Sequence, residues 1–452
     1  MSEYPVRKEE IDAAALLDRL AQHGEAEVYE LRSAQVPLQF KSGKLESARS
    51  SQTVGRAVRV IKNGRLGYST TTDVTDAQTV VENALAAAEY GDLVALDLPG
   101  EAALPAMERY DETVAALEPG DLIGMGEAIV EAIRAYDPEV EVNVAVGRTV
   151  DEVTVVNSRG LRRHDRRTSL SIGAMGTVTR GDEIVIVGGQ RQSRRREEVD
   201  ARALAEEIVE RLRWSAETVQ VKSGPMKVLL RSVGLAPLML PLQLGLNGRY
   251  VYLGTSPLGG RLGEQAFDPR FALVDDGPRD FAPLSAPFDD EGVATRTKTL
   301  VDGGAVRQFL YDLKTAAQTG AQPTGNGFKR ADLFTAGFHV PPQAAAATWV
   351  VPAGEEDLDA VAAGLDEVLV VENVLGLGQG NMMAGEFSNT VAPGFLMRRG
   401  EIVGRVKDTM IAGNVYTLLR DQLAAVGHRQ EWVAGMVYAP GLLFDGVSVV
   451  AK

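Results

Sequence analysis

The chain offers few side chains that could bind a transition metal or act as a nucleophile. It contains four histidines and no cysteine in 452 residues. Disulfides, thiolate nucleophiles and thiolate metal ligands are therefore excluded. The histidines are far apart in sequence, so no two of them have the spacing of paired zinc ligands: His23, His164, His339 and His428. We interpret them as unrelated surface or turn residues, and only a dispersed metal site assembled by the fold remains open.

Two acidic clusters could supply oxygen ligands for a hard cation. Asp275-Asp276 and Asp289-Asp290-Glu291 lack the alternating spacing of a calcium loop, and we expect them to lie in solvated turns. Arginines form a basic cluster on predicted neighbouring strands: Arg162, Arg163, Arg166 and Arg167, with Arg191, Arg194, Arg195 and Arg196. Interleaved acidic residues favour a solvated or interface role for these arginines over contact with nucleic acid.

Three further segments fall short of known active-site patterns. Residues 320–327 lack the lysine and hydroxyl residue of a phosphate-binding loop. The glycines within residues 376–381 are not spaced as in a dinucleotide-binding turn, which favours tight loop geometry. Ser256 does not have the spacing of a nucleophile elbow. We therefore predict neither a nucleotide site nor a serine triad from these segments.

Composition indicates a globular protein with a sizeable core. Hydrophobic residues make up 45% of the chain and charged residues 24%, and the length suggests two or three domains. No apolar run is long enough to span a bilayer and the first residues lack a signal-peptide core, so we expect a cytoplasmic protein without membrane contact. A net charge of -15 makes nucleic acid an unlikely partner and favours peptides and small molecules.

The order of the predicted elements indicates an α+β fold with two domains. Residues 1–220 alternate between helix and strand patterns, with helices at 9–23 and 119–136, a strand at 26–31 and a hairpin at 54–72, which predicts a mixed α/β domain. A Gly-Pro pair then marks a change of pattern. Residues 225–452 consist mostly of short strands between Gly, Asp and Pro, among them 308–310 and 390–396, which predicts a mainly antiparallel β domain with a barrel-like or sandwich form.

Several stretches of the second half resemble the TldD/PmbA family in order and spacing. They are SPLGGRLGE at 256–264, VDDG at 274–277, DDEGVATRTKTLVDGG at 289–304, PTGNG at 323–327 and GEFSNTVAPGFLMRRGEIVGRVKDTMIAGNVYTLL at 385–419. The resemblance covers most of residues 225–450. The first half agrees with the family in organisation.

The resemblance implies a bacterial and archaeal peptidase system that acts on small and modified peptides. In that system a TldD-type subunit carries an HExxxH zinc motif and a TldE/PmbA-type subunit lacks it. In the family, the motif precedes the serine of the SxxxGRxGE stretch at a fixed distance. Counting back from Ser256 therefore places Met239 at the first histidine, Leu240 at the glutamate and Leu244 at the second histidine. These side chains cannot bind zinc or activate water. The active type also uses a C-terminal cysteine ligand, and this chain has no cysteine.

We therefore predict a TldE/PmbA-like subunit without a cofactor of its own. Zinc or a similar divalent metal is expected in a TldD-like partner, with which the chain forms a heterodimer, or else the chain pairs with itself. Peptides are the expected substrates, held in extended form at exposed strand edges. Gln379, Gly380, Asn381 and Glu386 are predicted to line the cavity or contact substrate, because a glycine-rich turn leaves backbone groups accessible. A tight inter-strand turn is the alternative for that segment.

Two other functional classes remain open. One is a stand-alone homodimeric metallopeptidase or hydrolase with an unrecognised site built from His164, His339 or the acidic clusters. The other is a non-enzymatic regulatory protein, as in the family's older description as a modulator of DNA gyrase. Stoichiometric metal in the purified single protein would favour the first class, and gyrase binding without a peptidase partner would favour the second.

Overall fold

The first half of the chain builds an antiparallel sheet covered by helices. The computed structural model describes residues 11–181, 183–330 and 336–451. Seven strands form the first sheet: Glu25–Lys41, Lys44–Ala48, Ser51–Lys62, Arg65–Thr71, Glu141–Asn157, Arg162–Arg180 and Glu183–Ser193. Their order across the sheet is fourth, third, first, fifth, sixth and seventh, and the second strand pairs with the first.

Helices bury their apolar faces on this sheet in two adjoining cores. Asp12, Asp76 and Asp200 cap three of these helices by accepting hydrogen bonds from backbone N–H groups of the first turn. The α-helices described in this half are Ala13–Ala21, Ala77–Tyr90, Glu112–Ala115, Pro119–Tyr136 and Ala201–Trp214, with a 3-10 turn at Arg196–Glu198. Within the described ranges, every helix of the protein is too short or too polar to cross a bilayer.

Local patterns predict this half well. The helix predicted at 119–136 has those bounds, and the predicted hairpin turns at Asn63-Gly64, where both residues adopt positive φ angles of 53° and 75°. The helix predicted at 9–23 begins at Ala13 and ends at Ala21, and residues 9 and 10 lie outside the described residues. The strand predicted at 26–31 instead runs from Glu25 to Lys41, because it pairs with strands on both sides.

The second half forms a larger sheet of fourteen strands. Most pairings are antiparallel, and three are parallel. Its strands are Thr218–Val219, Gly224–Leu230, Leu273–Asp276, Thr297–Asp302, Ala305–Val306, Trp349–Val350, Val368–Val371, Val374–Leu375, Glu386–Val391, Gly394–Arg398, Glu401–Val406, Thr409–Asn414, Leu423–Val433 and Val437–Ala451. A separate pair consists of Gly327–Phe328 and Gln343–Ala344.

Short helices lie among these strands and pack on the largest apolar core of the protein. They are Ala236–Gly245, Gly248–Tyr252, Leu313–Thr319, Leu358–Ala363 and Val415–Thr417, with a 3-10 turn at Ser232–Leu235 and a π-helical turn at Leu418–Gln422. The predicted α+β class, with a mainly antiparallel second half, is confirmed. The domain boundary near residue 220 stays a prediction.

Two strand predictions in the second half are wrong. Residues 308–310 form no strand, although Leu310 makes an isolated bridge with Asn247. The single strand predicted at 390–396 is two strands, which Pro393 separates because it has no N–H to donate. The two long strands Leu423–Val433 and Val437–Ala451 were not predicted. They contain glycine and proline, which indicate turns in sequence, but bulges accommodate these residues within the ladder.

Candidate functional site

The segment expected at the family's zinc motif is a helix, Ala236–Gly245, that follows the 3-10 turn Ser232–Leu235 without a break. Pro237 lies in its first turn, where a missing N–H costs nothing. Pro241 lies inside the helix and cannot donate to the carbonyl of residue 237. The helix nevertheless continues to Gly245, so Pro241 is tolerated here.

The three motif positions are apolar in the structure as well as in the sequence. Met239 is 3% exposed and belongs to the largest core cluster, together with Leu238 and Leu242. Leu240 and Leu244 are half-buried. A thioether and two isobutyl groups provide no imidazole and no carboxylate. The donor set at these positions therefore does not fit a catalytic zinc with its general base.

Tyr416 joins this helix to the glycine-rich turn that precedes strand Glu386–Val391. Its hydroxyl donates to the carbonyl oxygen of Pro241 over 2.9 Å. A Cβ atom on Gly385 would lie 2.5 Å from the Tyr416 ring, and one on Gly245 would lie 2.6 Å from its hydroxyl. Burial raises the pKa of Tyr416, so the side chain is a neutral phenol. Sequence reasoning missed this residue, although it lies in the GNVYTLL end of the family-like closing stretch.

The four predicted contact residues lie on that turn and are exposed: Gln379, Gly380, Asn381 and Glu386. The backbone carbonyl of Asn381 accepts from the Glu386 N–H over 3.0 Å, and its side chain accepts from the Ala384 N–H over 3.2 Å. Asn389 closes the base of the turn by donating to the carbonyls of Leu375 and Gly376. The structure thus brings the four residues together on a tight turn, and their role in substrate contact stays a prediction.

Ser256 fixes the other end of the motif helix. Its hydroxyl donates to the carbonyl oxygen of Gly245 over 2.5 Å and accepts from the N–H of Leu258 over 3.1 Å. The last carbonyls of a helix have no partner within the helix, so Ser256 satisfies one of them. This contact gives a physical reason for a fixed distance between the helix and the SxxxGRxGE stretch. The Ser256 hydroxyl thus uses both its donor and its acceptor function in backbone hydrogen bonds.

The prediction that the acidic clusters are solvated is wrong. Asp275 is 0% exposed, and Asp289 and Glu291 are each 1% exposed. Asp275 forms an ion pair of 3.0 Å with Lys298, itself buried, and accepts the N–H of Ala347. Carboxylates are buried when opposite charges and donors neutralise them, and here these partners come from distant parts of the chain.

Glu291 joins the two halves of the chain through Arg59, and Asp289 lies beside it in the second half. Arg59, on the first sheet, donates to Glu291 over 2.5 Å and to Glu27 over 2.9 Å. Asp289 accepts the N–H groups of Glu291, Val293 and Gly327. Burial raises the pKa of Glu291 to about 7, although Arg59 opposes the shift. The pKa of Asp289 is also raised, by burial and by the neighbouring Glu291 charge. We refer to Glu27, Arg59, Asp289 and Glu291 as the inter-half charge network.

The remaining candidates lie apart from the motif helix. All four histidines are exposed, as predicted. Within the described residues, no group of three or more His, Asp or Glu side chains is arranged to hold a metal ion. In the basic cluster, Arg194 is buried and donates to the carbonyls of Ala282, Pro283 and Ser285, so it joins the first sheet to the second half.

A cavity of about 700 Å³ lies between the halves, beside the helix Gly248–Tyr252 that follows the motif helix. Tyr68 and Tyr90 line it from the first half, and Tyr252 lines it from the second. Lys314 pairs across the two halves with Asp92 over 2.7 Å. The volume is within the range of about 300–1,000 Å³ that is typical of ligand pockets.

Comparison with known protein families gives matches along most of the chain. A family model described as the PmbA/TldA metallopeptidase C-terminal domain matches residues 223–451. Models of domain 1 and of the central domain of the same metallopeptidases match residues 26–88 and 112–216. A protein of Archaeoglobus fulgidus named metalloprotease is 26% identical, over 92% of this chain and 95% of that protein.

Solved structures share the fold. TldE from Thermococcus kodakarensis superposes with a TM-score of 0.87 at 23% identity, over 97% of this chain and 99% of that one. A protein from Thermotoga maritima described as a modulator of a DNA gyrase superposes with a TM-score of 0.85 at 25% identity, over the same shares of the two chains. Together with the matches of the family models, which span more than half of the sequence, they show that this chain belongs to the TldD/PmbA family of metallopeptidases.

Proposed function

We propose that this chain is the non-catalytic, TldE/PmbA-like subunit of a two-subunit metallopeptidase that processes or degrades small peptides. A TldD-like partner supplies zinc or a similar divalent metal and the catalytic base. The observation that carries the proposal is the apolar character of Met239, Leu240 and Leu244 on the helix Ala236–Gly245. A cytoplasmic location is part of the same proposal.

Zinc chemistry supports the assignment of catalysis to the partner. A catalytic zinc requires about three protein ligands and an open position for water, with a carboxylate nearby to take the proton. The motif helix offers none of these groups, and Met239 is packed into the core. Metal binding at these positions would require new side chains and a new orientation for position 239.

The contribution of this chain is to build part of the substrate enclosure. The turn that carries Gln379, Gly380, Asn381 and Glu386 exposes polar side chains and backbone groups, and Tyr416 fixes it against the motif helix. Exposed strand edges can bind an extended peptide through backbone hydrogen bonds, which selects substrates by conformation more than by sequence. The cavity of about 700 Å³ between the halves adds room for apolar side chains.

The proposal is tested by measuring peptide cleavage and metal content together. The chain is purified alone and after co-expression with a TldD-like protein from the same genome, and each sample is assayed on a mixture of short peptides. We expect cleavage and about one metal per pair only in the co-expressed sample. Metal-dependent cleavage by the chain alone would overturn the proposal and support the stand-alone hydrolase.

Matched variants in the pair locate the chemistry. Replacing the glutamate of the partner's HExxxH motif by glutamine should abolish cleavage, because that residue activates water. Leu240→Gln in this chain, the corresponding position, should leave kcat within about twofold. A comparable loss of kcat in the two variants would contradict a non-catalytic role for this chain. Gyrase binding by this chain without the partner would instead support the regulatory alternative.

A further inference from the structure

A second cavity, of about 270 Å³, lies between the helix Ala201–Trp214 of the first half and segments of the second half, outside the proposed substrate enclosure. It borders Ser232, the first residue of the 3-10 turn Ser232–Leu235, whose N–H donates to Glu431. The side chains that determine its chemistry come from four separate segments of the chain: Arg211, Trp214, Arg231, Glu372, His428 and Glu431. No role for this cavity follows from the proposed subunit function.

The cations that reach the centre of the cavity are already paired. Arg211 donates to one oxygen of Glu372 over 2.9 Å, and Arg231 donates to the other over 2.7 Å. Glu372 is 6% exposed, so these ion pairs are shielded from solvent. Both guanidinium groups are therefore committed to a carboxylate of the protein, which reduces their attraction for an anionic ligand.

The remaining polar atoms at the centre are acceptors. One carboxylate oxygen of Glu431 accepts the Ser232 N–H over 2.7 Å, and the other has no hydrogen bond within the described residues. Burial, followed by the nearby Glu372 charge, raises the pKa of Glu431, and Arg211 and Arg231 oppose this shift. His428 Nδ1 lies 2.9 Å from the carbonyl oxygen of Glu356, which can only accept. In the neutral ring Nδ1 therefore carries the proton, and Nε2 is left as an acceptor.

The lining as a whole is negative. It contains seven carboxylates and three arginines. Arg429 is the arginine that forms no ion pair within the described ranges, and it is exposed at the rim of the cavity, where it can extend into water. The electrostatic potential of the lining therefore attracts a positively charged ligand.

The shape of the cavity limits the size of the ligand. A Cβ atom on Gly427 would lie 2.9 Å from Leu358 Cδ1, and one on Gly441 would lie 3.2 Å from the same atom, so the two glycines allow Leu358 to pack closely against the backbone at this wall of the cavity. Trp214, half-buried against Phe395, adds an aromatic surface on which an alkyl chain or a cation can rest. The volume is slightly below that of typical drug-sized pockets, which suits a single short chain.

We propose that this cavity binds a primary ammonium or guanidinium group on a short alkyl chain. Glu431 and His428 Nε2 accept its hydrogen bonds, and Trp214 and Leu358 contact the alkyl chain. Two sources carry this chemistry, namely a basic side chain of a peptide and a free polyamine. The site is independent of the zinc chemistry assigned to the partner subunit.

Calorimetric titration of the full chain tests the proposal with three probes. Nα-acetyl-lysine amide and spermidine carry the ammonium group, and Nα-acetyl-norleucine amide has a similar alkyl chain without it. We expect binding of at least one cationic probe and at least about tenfold weaker binding of the norleucine probe. Tighter binding of the lysine probe identifies a peptide side chain as the source, and tighter binding of spermidine identifies a polyamine. Equal binding of the norleucine probe, or binding of none of the three, overturns the proposal.

Variants then locate the binding. Glu431→Gln keeps an acceptor for the Ser232 N–H but removes the negative charge. It should weaken binding of the cationic probe by about tenfold or more. His428→Phe tests the second acceptor at an exposed position, where folding is preserved. Glu401→Gln removes an exposed carboxylate outside the cavity and should leave the affinity unchanged. The site is wrongly placed if Glu431→Gln and His428→Phe both behave like Glu401→Gln.

Discussion

The motif helix Ala236–Gly245 and the inter-half charge network are both buried, yet their chemistry is opposite. The helix, where the family resemblance directs attention, has apolar side chains at all three motif positions. The network contains carboxylates with raised pKa values and lies elsewhere. Perturbed carboxylates often indicate an active site, but ion-pair networks perturb them too. In this chain the buried charges connect the two halves, and a raised pKa does not locate catalysis.

The largest expected effect comes from removing the central cation of the network. Arg59→Met leaves Glu27 and Glu291 buried without their shared partner, which should lower the free energy of unfolding by about 3–5 kcal/mol. Urea unfolding followed by circular dichroism measures the change. The control is Arg307→Met, which removes an exposed ion pair with Asp302 and should have no measurable effect. If both variants lose the same free energy of unfolding, the buried ion pairs contribute no more to stability than the exposed one.

A polar group in the motif helix should also destabilise the protein, because its surroundings are apolar. Met239→His places an imidazole in the core at the position predicted for the first motif histidine and should cost about 3 kcal/mol from lost packing and burial of a polar ring. Met239→Leu, which conserves volume, should cost less than about 1.5 kcal/mol. Urea unfolding compares the two variants. If Met239→His is as stable as Met239→Leu, the site tolerates a ligand and the comparison fails.

The network should make stability depend on pH. The pKa of Glu291 is raised to about 7 from an ordinary 4.5, so between these values the folded state holds a proton that the unfolded state releases. Stability therefore falls as pH rises from about 4.5 to about 7, by about 1–3 kcal/mol from this group. Asp289, also raised, contributes with the same sign. The urea midpoint should fall less between pH 5 and pH 7.5 in Glu291→Gln than in the unchanged protein. An equal fall in the two proteins would refute the assignment to Glu291.

The smallest effect is expected at the contact between Tyr416 and the motif helix. Tyr416→Phe removes one hydrogen bond to Pro241 and should lower the free energy of unfolding by about 1 kcal/mol. Tyr90→Phe, at a position that is 89% exposed, is the matched control and should have no effect. The bond would have no energetic role if both variants unfold at the same urea concentration.

Local sequence patterns were sufficient where local structure decides the outcome. The turn at Asn63-Gly64 and the helix Pro119–Tyr136 depend on backbone preference and periodicity over a few residues, and both were predicted. The length of strand Glu25–Lys41 depends on two neighbours, one of which begins more than a hundred residues later. Such pairing is not visible in the local alternation of residues.

In the candidate site, too, features of nearby residues could be predicted, whereas contacts between distant residues could not. The family resemblance placed the motif at residues 239, 240 and 244, and the glycines of the segment indicated a turn at 379–381. The burial of Glu291 could not be predicted, because its partner Arg59 is 232 positions away in sequence. The same holds for Tyr416, whose contact with Pro241 joins residues 175 positions apart.

Both anchors of the motif helix, Tyr416 and Ser256, bind backbone carbonyls, those of Pro241 and Gly245. A carbonyl is present whatever side chain a residue carries, so these two hydrogen bonds do not depend on the identity of residues 239, 240 and 244, although Met239 also packs into the core. Substitution at these positions can therefore proceed while the scaffold is inherited unchanged. The architecture separates the position of the helix from its chemistry, and this lets related chains diverge in activity without diverging in fold.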